Sequence, residues 1–118
     1  MKIQSHQSSN TKIAEVLSES IIIDTIEDGS NLMADIYYQG FDALILHEKN
    51  ITPTFFDLKT GIAGEILQKF SNYRMRLAIV GDFSSYNSKS LNDFIFESNK
   101  NKQINFVDSV GEAIERLR

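Results

Sequence analysis

The stretch Phe55–Phe70, FFDLKTGIAGEILQKF, followed shortly by Arg76–Gly81, RLAIVG, decides how the chain is read. Within the first segment Ile62, Ala63, Ile66, Leu67 and Phe70 fall on one face at helical spacing, and the second is a short apolar run suited to a core strand. Upstream, FDALIL at Phe41–Leu46 reads as another short buried strand. Strand, helix, strand in that order is the signature of a parallel sheet built by right-handed crossovers.

Working outward, the same alternation holds. KIQSHQ and KIAEVL flank the turn-like SSNT, which predicts an N-terminal β-hairpin. The segment IIID either extends or ends that hairpin. A helix then starts at Asp24 or Thr25, where Thr25 and Asp28 have the spacing of a capping box. Its apolar stripe is Gly29, Leu32, Met33, Ile36 and Tyr37, and Gly40 marks its end. Thr52-Pro53 reads as a helix start, because proline loses nothing at a first helical position. Beyond RLAIVG, the loop GDFSSYNS leads to a third helix capped by Ser88 or Ser90, with Leu91, Phe94, Ile95 and Ser98 on one side. The strand INFV follows, and then a helix with Ser109 and Glu112 at capping-box spacing and Val110, Ala113, Ile114 and Leu117 as its stripe. The expectation is one α/β domain over residues 1–118: a single-layer, mostly parallel sheet with an N-terminal β-hairpin, in the order ββαβαβαβα.

Bulk properties narrow the function. A length of 118 residues suits one domain, and 42% hydrophobic with 24% charged residues suits a soluble globular chain. A net charge of −4 speaks against general nucleic-acid binding, which relies on neutralising phosphates. The absence of cysteine excludes disulfides, thiolate metal sites and cysteine nucleophiles. No apolar run approaches the roughly 20 residues of a membrane span, and MKIQSHQSSN lacks the apolar region of a signal peptide. A cytoplasmic location, without membrane or nucleic-acid partners, is therefore expected.

In open α/β sheets, ligands and partners meet the loops beyond the carboxyl ends of the strands. One such loop carries His47, Glu48, Lys49, Asn50, Asp57, Lys59 and Thr60; the other carries Asp82, Ser84, Ser85 and Tyr86. At Thr60-Gly61 a helix start supplies free backbone N–H groups and a positive dipole end, which favour a phosphate on Thr60, with Lys59 beside it. The plain alternative is that Thr60 only caps the helix and Gly61 and Gly64 allow close packing. Asp57 reads as an acid or as a capping group, and Asp82 and Ser84 as a strand-end site or as a turn. Phe55, Phe56, Phe83 and Tyr86 either wall a pocket or fill the core. His6 and His47 are the only histidines and lie far apart in sequence, so no zinc site is expected. No phosphate-binding loop, dinucleotide fingerprint or nucleophile elbow occurs, and neither a cofactor nor a complete catalytic motif is expected.

The run ITPTFFDLKTGIAGEILQKFSNYRMRLAIVGDFSSY, with SKSLNDFIFESNK and QINFV after it, resembles a bacterial family known as domain of unknown function 4180. That resemblance covers nearly the whole chain, is most specific from Thr52 to Asn99, and implies no activity. More distantly, the element order and the D-x-x-T-G-I-A segment at Asp57–Ala63 are similar to STAS domains of anti-sigma-factor antagonists. In those domains a serine or threonine at this helix start is phosphorylated by a partner kinase, which switches partner binding. The resemblance implies that role for Thr60, with Gly61 as the glycine after it and Asp57 as the acidic residue before it. Here Leu58 and Lys59 separate the acid from the threonine, whereas in STAS domains the two are nearly adjacent.

Two expectations follow. The first is a non-catalytic regulatory or interaction domain whose partner is another protein or a second copy of itself. Its surface would hold Asp57, Lys59, Gly61, Asp82, Ser84, Phe55 and Phe56, with Thr60 as the switch. The second is a small-molecule-binding domain or enzyme that uses Asp57, Lys59, Asp82 and Ser84 around a pocket walled by Phe55, Phe56 and Tyr86.

Overall fold

In the computed structural model, which describes residues 1–118, Ser9 and Asn10 adopt positive φ angles of 48° and 67°. Two such residues make the tight turn whose twist matches that of paired strands. They join β1 (Lys2–Ser8) to β2 (Thr11–Leu17) in an antiparallel hairpin with Lys2 opposite Leu17. The following IIID does not extend the hairpin. It forms a single parallel bridge, Ile23 with Ile51, and the Asn50 carbonyl accepts from the N–H groups of Ile22 and Ile23.

Helix α1 (Ile26–Tyr38) starts with a complete capping box. The Thr25 hydroxyl accepts from Asp28 N, while the Asp28 carboxylate accepts from the N–H groups of Thr25 and Asp24. Those backbone bonds hold the Asp28 carboxyl below the usual aspartate range. Gly40, at φ 88°, turns the chain into β3 (Ala43–His47). Thr52-Pro53 starts only a 3-10 turn, Pro53–Phe56, and a second 3-10 turn follows at Leu58–Thr60. The α2 helix proper spans Ile62–Asn72, with Gly61 at φ 78° as its cap. The expected helix start at Thr52 is thus corrected: Asp57 closes one turn and caps the next, and Gly61 bends the chain before α2 begins.

Strand β4 (Arg76–Val80) leads to α3 (Lys89–Asn101), capped by Ser88, and then to β5 (Ile104–Val107). The last helix, α4 (Val110–Leu117), is capped by Ser109; the Glu112 carboxylate reaches back to Asp108 N, one residue before the cap. The five strands lie in the order β1-β2-β3-β4-β5, antiparallel at the hairpin and parallel elsewhere.

Each crossover moves one strand along, so successive crossovers of one hand lay their helices on one face. Leu32, Met33 and Ile36 of α1, Ile66 and Phe70 of α2 and Leu91 of α3 pack there on Val16, Leu44, Leu46, Leu77, Ile79 and Phe106. On the other face Ala113 and Leu117 of α4 cover Ile13, Ala43, Ile45, Ala78 and Val107. Helices α1 and α2 meet at Gly29, where a Cβ would fall 2.8 Å from Ile66 Cδ1. In α3, at the sheet margin, only Leu91 is fully buried and Phe94 and Ile95 are partly so. No helix is long and apolar enough to cross a membrane.

Candidate functional site

The start of α2 is built from side-chain oxygens tying down short turns. Thr52 and Asp57 each accept from a backbone N–H two residues on, and so hold the two 3-10 turns. Thr60 joins them: its hydroxyl faces the carbonyls of Thr54 (3.0 Å) and Asp57 (2.9 Å) as donor and accepts from Ile62 N (3.3 Å). Thr60 itself is exposed, as are Asp57, Lys59 and Gly61. Thr60 is therefore the end of a 3-10 turn whose hydroxyl serves the first N–H of α2, while Gly61 occupies the cap position.

The other expected residues divide differently. Phe55 and Phe56 are buried in the helix-covered core, 2% and 3% exposed. The 3-10 turn draws them inward, where Phe56 stacks near Phe83 and Tyr86. Asp82 and Ser84 form a local turn: the Asp82 carboxylate accepts from Ser84 N (3.0 Å) and Ser84 Oγ (2.5 Å). These bonds hold Asp82 below the usual aspartate range. Burial, and then the Glu48 carboxylate, push the Tyr86 phenol upward. Asp57 shares a recess of about 220 Å³ with Phe56, Tyr86 and Ser88, which brings together part of the expected pocket. Asp82 instead borders a separate depression with Asp108 and Glu112. The expected single pocket for Asp57, Lys59, Asp82 and Ser84 is thus not formed.

A polar centre that sequence reasoning missed lies on the α4 face of the sheet. Glu15 on β2 is 7% exposed. One carboxylate oxygen meets His6 Nε2 of β1 at 2.9 Å and the other meets His47 Nε2 of β3 at 2.7 Å. Burial raises the Glu15 pKa, but the bonds and charges of the two histidines outweigh it and hold it below the ordinary value. Strand alternation explains the meeting. His6 pairs opposite Ile13, Gln4 opposite Glu15 and Ile45 opposite Glu15, which puts His6, Glu15 and His47 on one face. No three His, Cys, Asp or Glu side chains are grouped to hold a metal ion; here a single carboxylate separates two imidazoles.

His47 also borders a cavity of about 440 Å³ at the carboxyl ends of β2 and β3. Lys2, Lys49 and Ser18 line it, with Glu19 and Asn50. Asn50 is 1% exposed; its amide donates to the carbonyls of Ser18 (2.8 Å) and Ser20 (2.9 Å), while its Oδ1 has no partner.

A family model described as a domain of unknown function, DUF4180, matches residues 8–117. Among curated proteins nothing matches the chain.

Proposed function

We propose, from the premise that the chain belongs to the DUF4180 family, that it is a non-catalytic regulatory domain of STAS type acting in the cytoplasm. In this reading it binds another protein through the surface around the start of α2, and phosphorylation of Thr60 switches that binding.

The observation that carries the proposal is the position of the Thr60 hydroxyl, exposed yet shared among Thr54 O, Asp57 O and Ile62 N. A phosphate ester on Thr60 has no hydrogen to donate. The two carbonyls would lose their donor and face negative oxygens instead, which loosens the turns Pro53–Phe56 and Leu58–Thr60. The same phosphate is favoured by the unpaired N–H groups at the α2 start. One modification therefore removes one set of contacts and supplies another, which is what a switch requires. The sequential strand order and the three helices on one face are compatible with the STAS-type architecture. Fold likeness by itself carries no function.

The test begins with intact mass and peptide mapping of the chain purified from its own host, where one phosphate on Thr60 is expected. Thr60→Ala and Thr60→Glu should then shift capture of partner protein in opposite directions. Equal capture by both variants, each folded by circular dichroism, would sink the switch.

A further inference from the structure

The two outer edges of the sheet are finished in different ways. At β5, which spans only Ile104–Val107, a side chain occupies the edge. The Asn99 amide of α3 accepts from Phe106 N at 2.7 Å and donates to Phe106 O at 3.1 Å, standing where a further strand would bond. Arg116 in turn donates to the Asn99 carbonyl. The β1 edge has no such cover: apart from its ladder with β2, the backbone of Lys2–Ser8 bonds to no other part of the chain. Proteins that leave an edge open to solvent shorten it, bulge it, or stud it with lysine or proline. β1 instead runs for seven residues without proline, and its one lysine, Lys2, stands at the first position. It pairs one for one with β2 from Lys2–Leu17 to Ser8–Thr11, without a bulge.

The hairpin decides which groups are open. A two-residue turn with both φ angles positive makes Ser8 and Thr11 a hydrogen-bonded pair. Bonding then alternates along the antiparallel ladder. Gln4, His6 and Ser8 therefore spend their N–H and C=O groups on β2, whereas Ile3, Ser5 and Gln7 direct theirs outward.

We propose that β1 pairs antiparallel with β1 of a second copy of the chain, about a two-fold axis at Ser5, so that one sheet continues into the next. A second copy fits because the strand complements itself. This register sets the open residues against one another, Ile3 on Gln7 and Ser5 on Ser5, and uses the edge along its whole length. On the α4 face it sets Gln4 against His6 and Lys2 against Ser8, polar side chains throughout. No like charges meet, since the two Lys2 residues lie at opposite ends, about 20 Å apart along the strands. A strongly charged partner strand would find no opposite charges on Ile3–Ser8. Strand pairing alone is a small interface, so the dimer is weak and concentration-dependent. β1 shares no residue with the start of α2, so this proposal and the Thr60 reading stand or fall separately.

Sedimentation velocity of the whole chain from about 10 μM to 1 mM should show a monomer–dimer equilibrium. Ser5→Pro removes an outward N–H at the axis without touching a bond to β2. Ser5→Lys brings two ammonium groups together there. Each variant, with the circular dichroism of the parent, should dimerise at least about tenfold more weakly. Mixing Ser5→Lys with Ser5→Glu should restore association as a heterodimer, which a damaged hairpin would not do. A parent that stays monomeric throughout, the result expected if the edge serves a strand of another protein, would overturn the proposal. So would a dimer that both folded variants leave intact, or a mixed pair that does not associate.

Discussion

Replacing Glu15 by Gln tests whether the two histidines are held by charge or only by shape. The amide keeps the volume of the carboxylate and offers one acceptor and one donor where two acceptors stood. In the parent, both oxygens are engaged, at 2.9 and 2.7 Å, on a side chain 7% exposed. Hydrogen bonds to charged groups contribute about 1.5–3 kcal/mol each, and burial of the carboxylate takes back part of that sum. A net loss of about 2 kcal/mol is expected for Glu15→Gln near neutral pH, roughly a 1.3 M fall in the urea midpoint for an m value of about 1.5 kcal/mol/M.

The loss depends on pH in a definite direction. Glu15 has a folded pKa below its ordinary value of 4.5. The folded state therefore binds fewer protons than the unfolded state between those two values. The stability it contributes is complete above the ordinary value and disappears as the pH falls through the folded one. Urea unfolding of parent and variant, followed by circular dichroism, should show a gap that closes on acidification below that window. A gap of the same size at every pH, or none at neutral pH, would refute the charge argument.

Two further substitutions probe the packing that positions these sites. Gly29→Ala places a methyl 2.8–3.0 Å from three atoms of Ile66. Overpacking of about 1–3 kcal/mol should exceed the gain in helix propensity of about 1 kcal/mol, leaving a net loss measurable by urea unfolding. Combining it with Ile66→Ala should destabilise by clearly less than the sum of the single changes; strict additivity would mean that α1 and α2 shift apart freely. Asn105, fully buried, donates to the carbonyls of Leu77 and Lys102 and accepts from Arg116 Nε at 2.8 Å. Asn105→Ala should cost about 2–4 kcal/mol by stranding those groups, and a cost near zero would show that water replaces the amide.

The sites were legible to very different degrees. The Asp57–Gly61 cluster was visible because its residues are neighbours, and every bond that Thr60 makes lies within six positions of it. Phe55 and Phe56 were ambiguous, since an aromatic pair next to a turn suits a pocket wall as well as a core. Their burial was decided by α2, which packs on the Pro53–Phe56 turn, and by Phe83 and Tyr86 beside Phe56. The Glu15 centre left one trace, a lone acid in the otherwise apolar run IAEVL. Nothing local could pair it with His47, 32 residues away.

What the sequence determined by itself is whatever short-range physics controls. The Thr25–Asp28 capping box, the Ser9-Asn10 turn and the helical stripes are fixed by contacts a few residues apart, and with them the α/β class of the chain. Tertiary structure decided where helix yields to 3-10 turns between Pro53 and Thr60, which phenylalanines turn inward, and which polar side chains meet across the sheet. Those outcomes depend on the register between parallel strands joined by a crossover. A shift of one residue there turns Glu15 to the face opposite His47, while His6 travels with it on the hairpin.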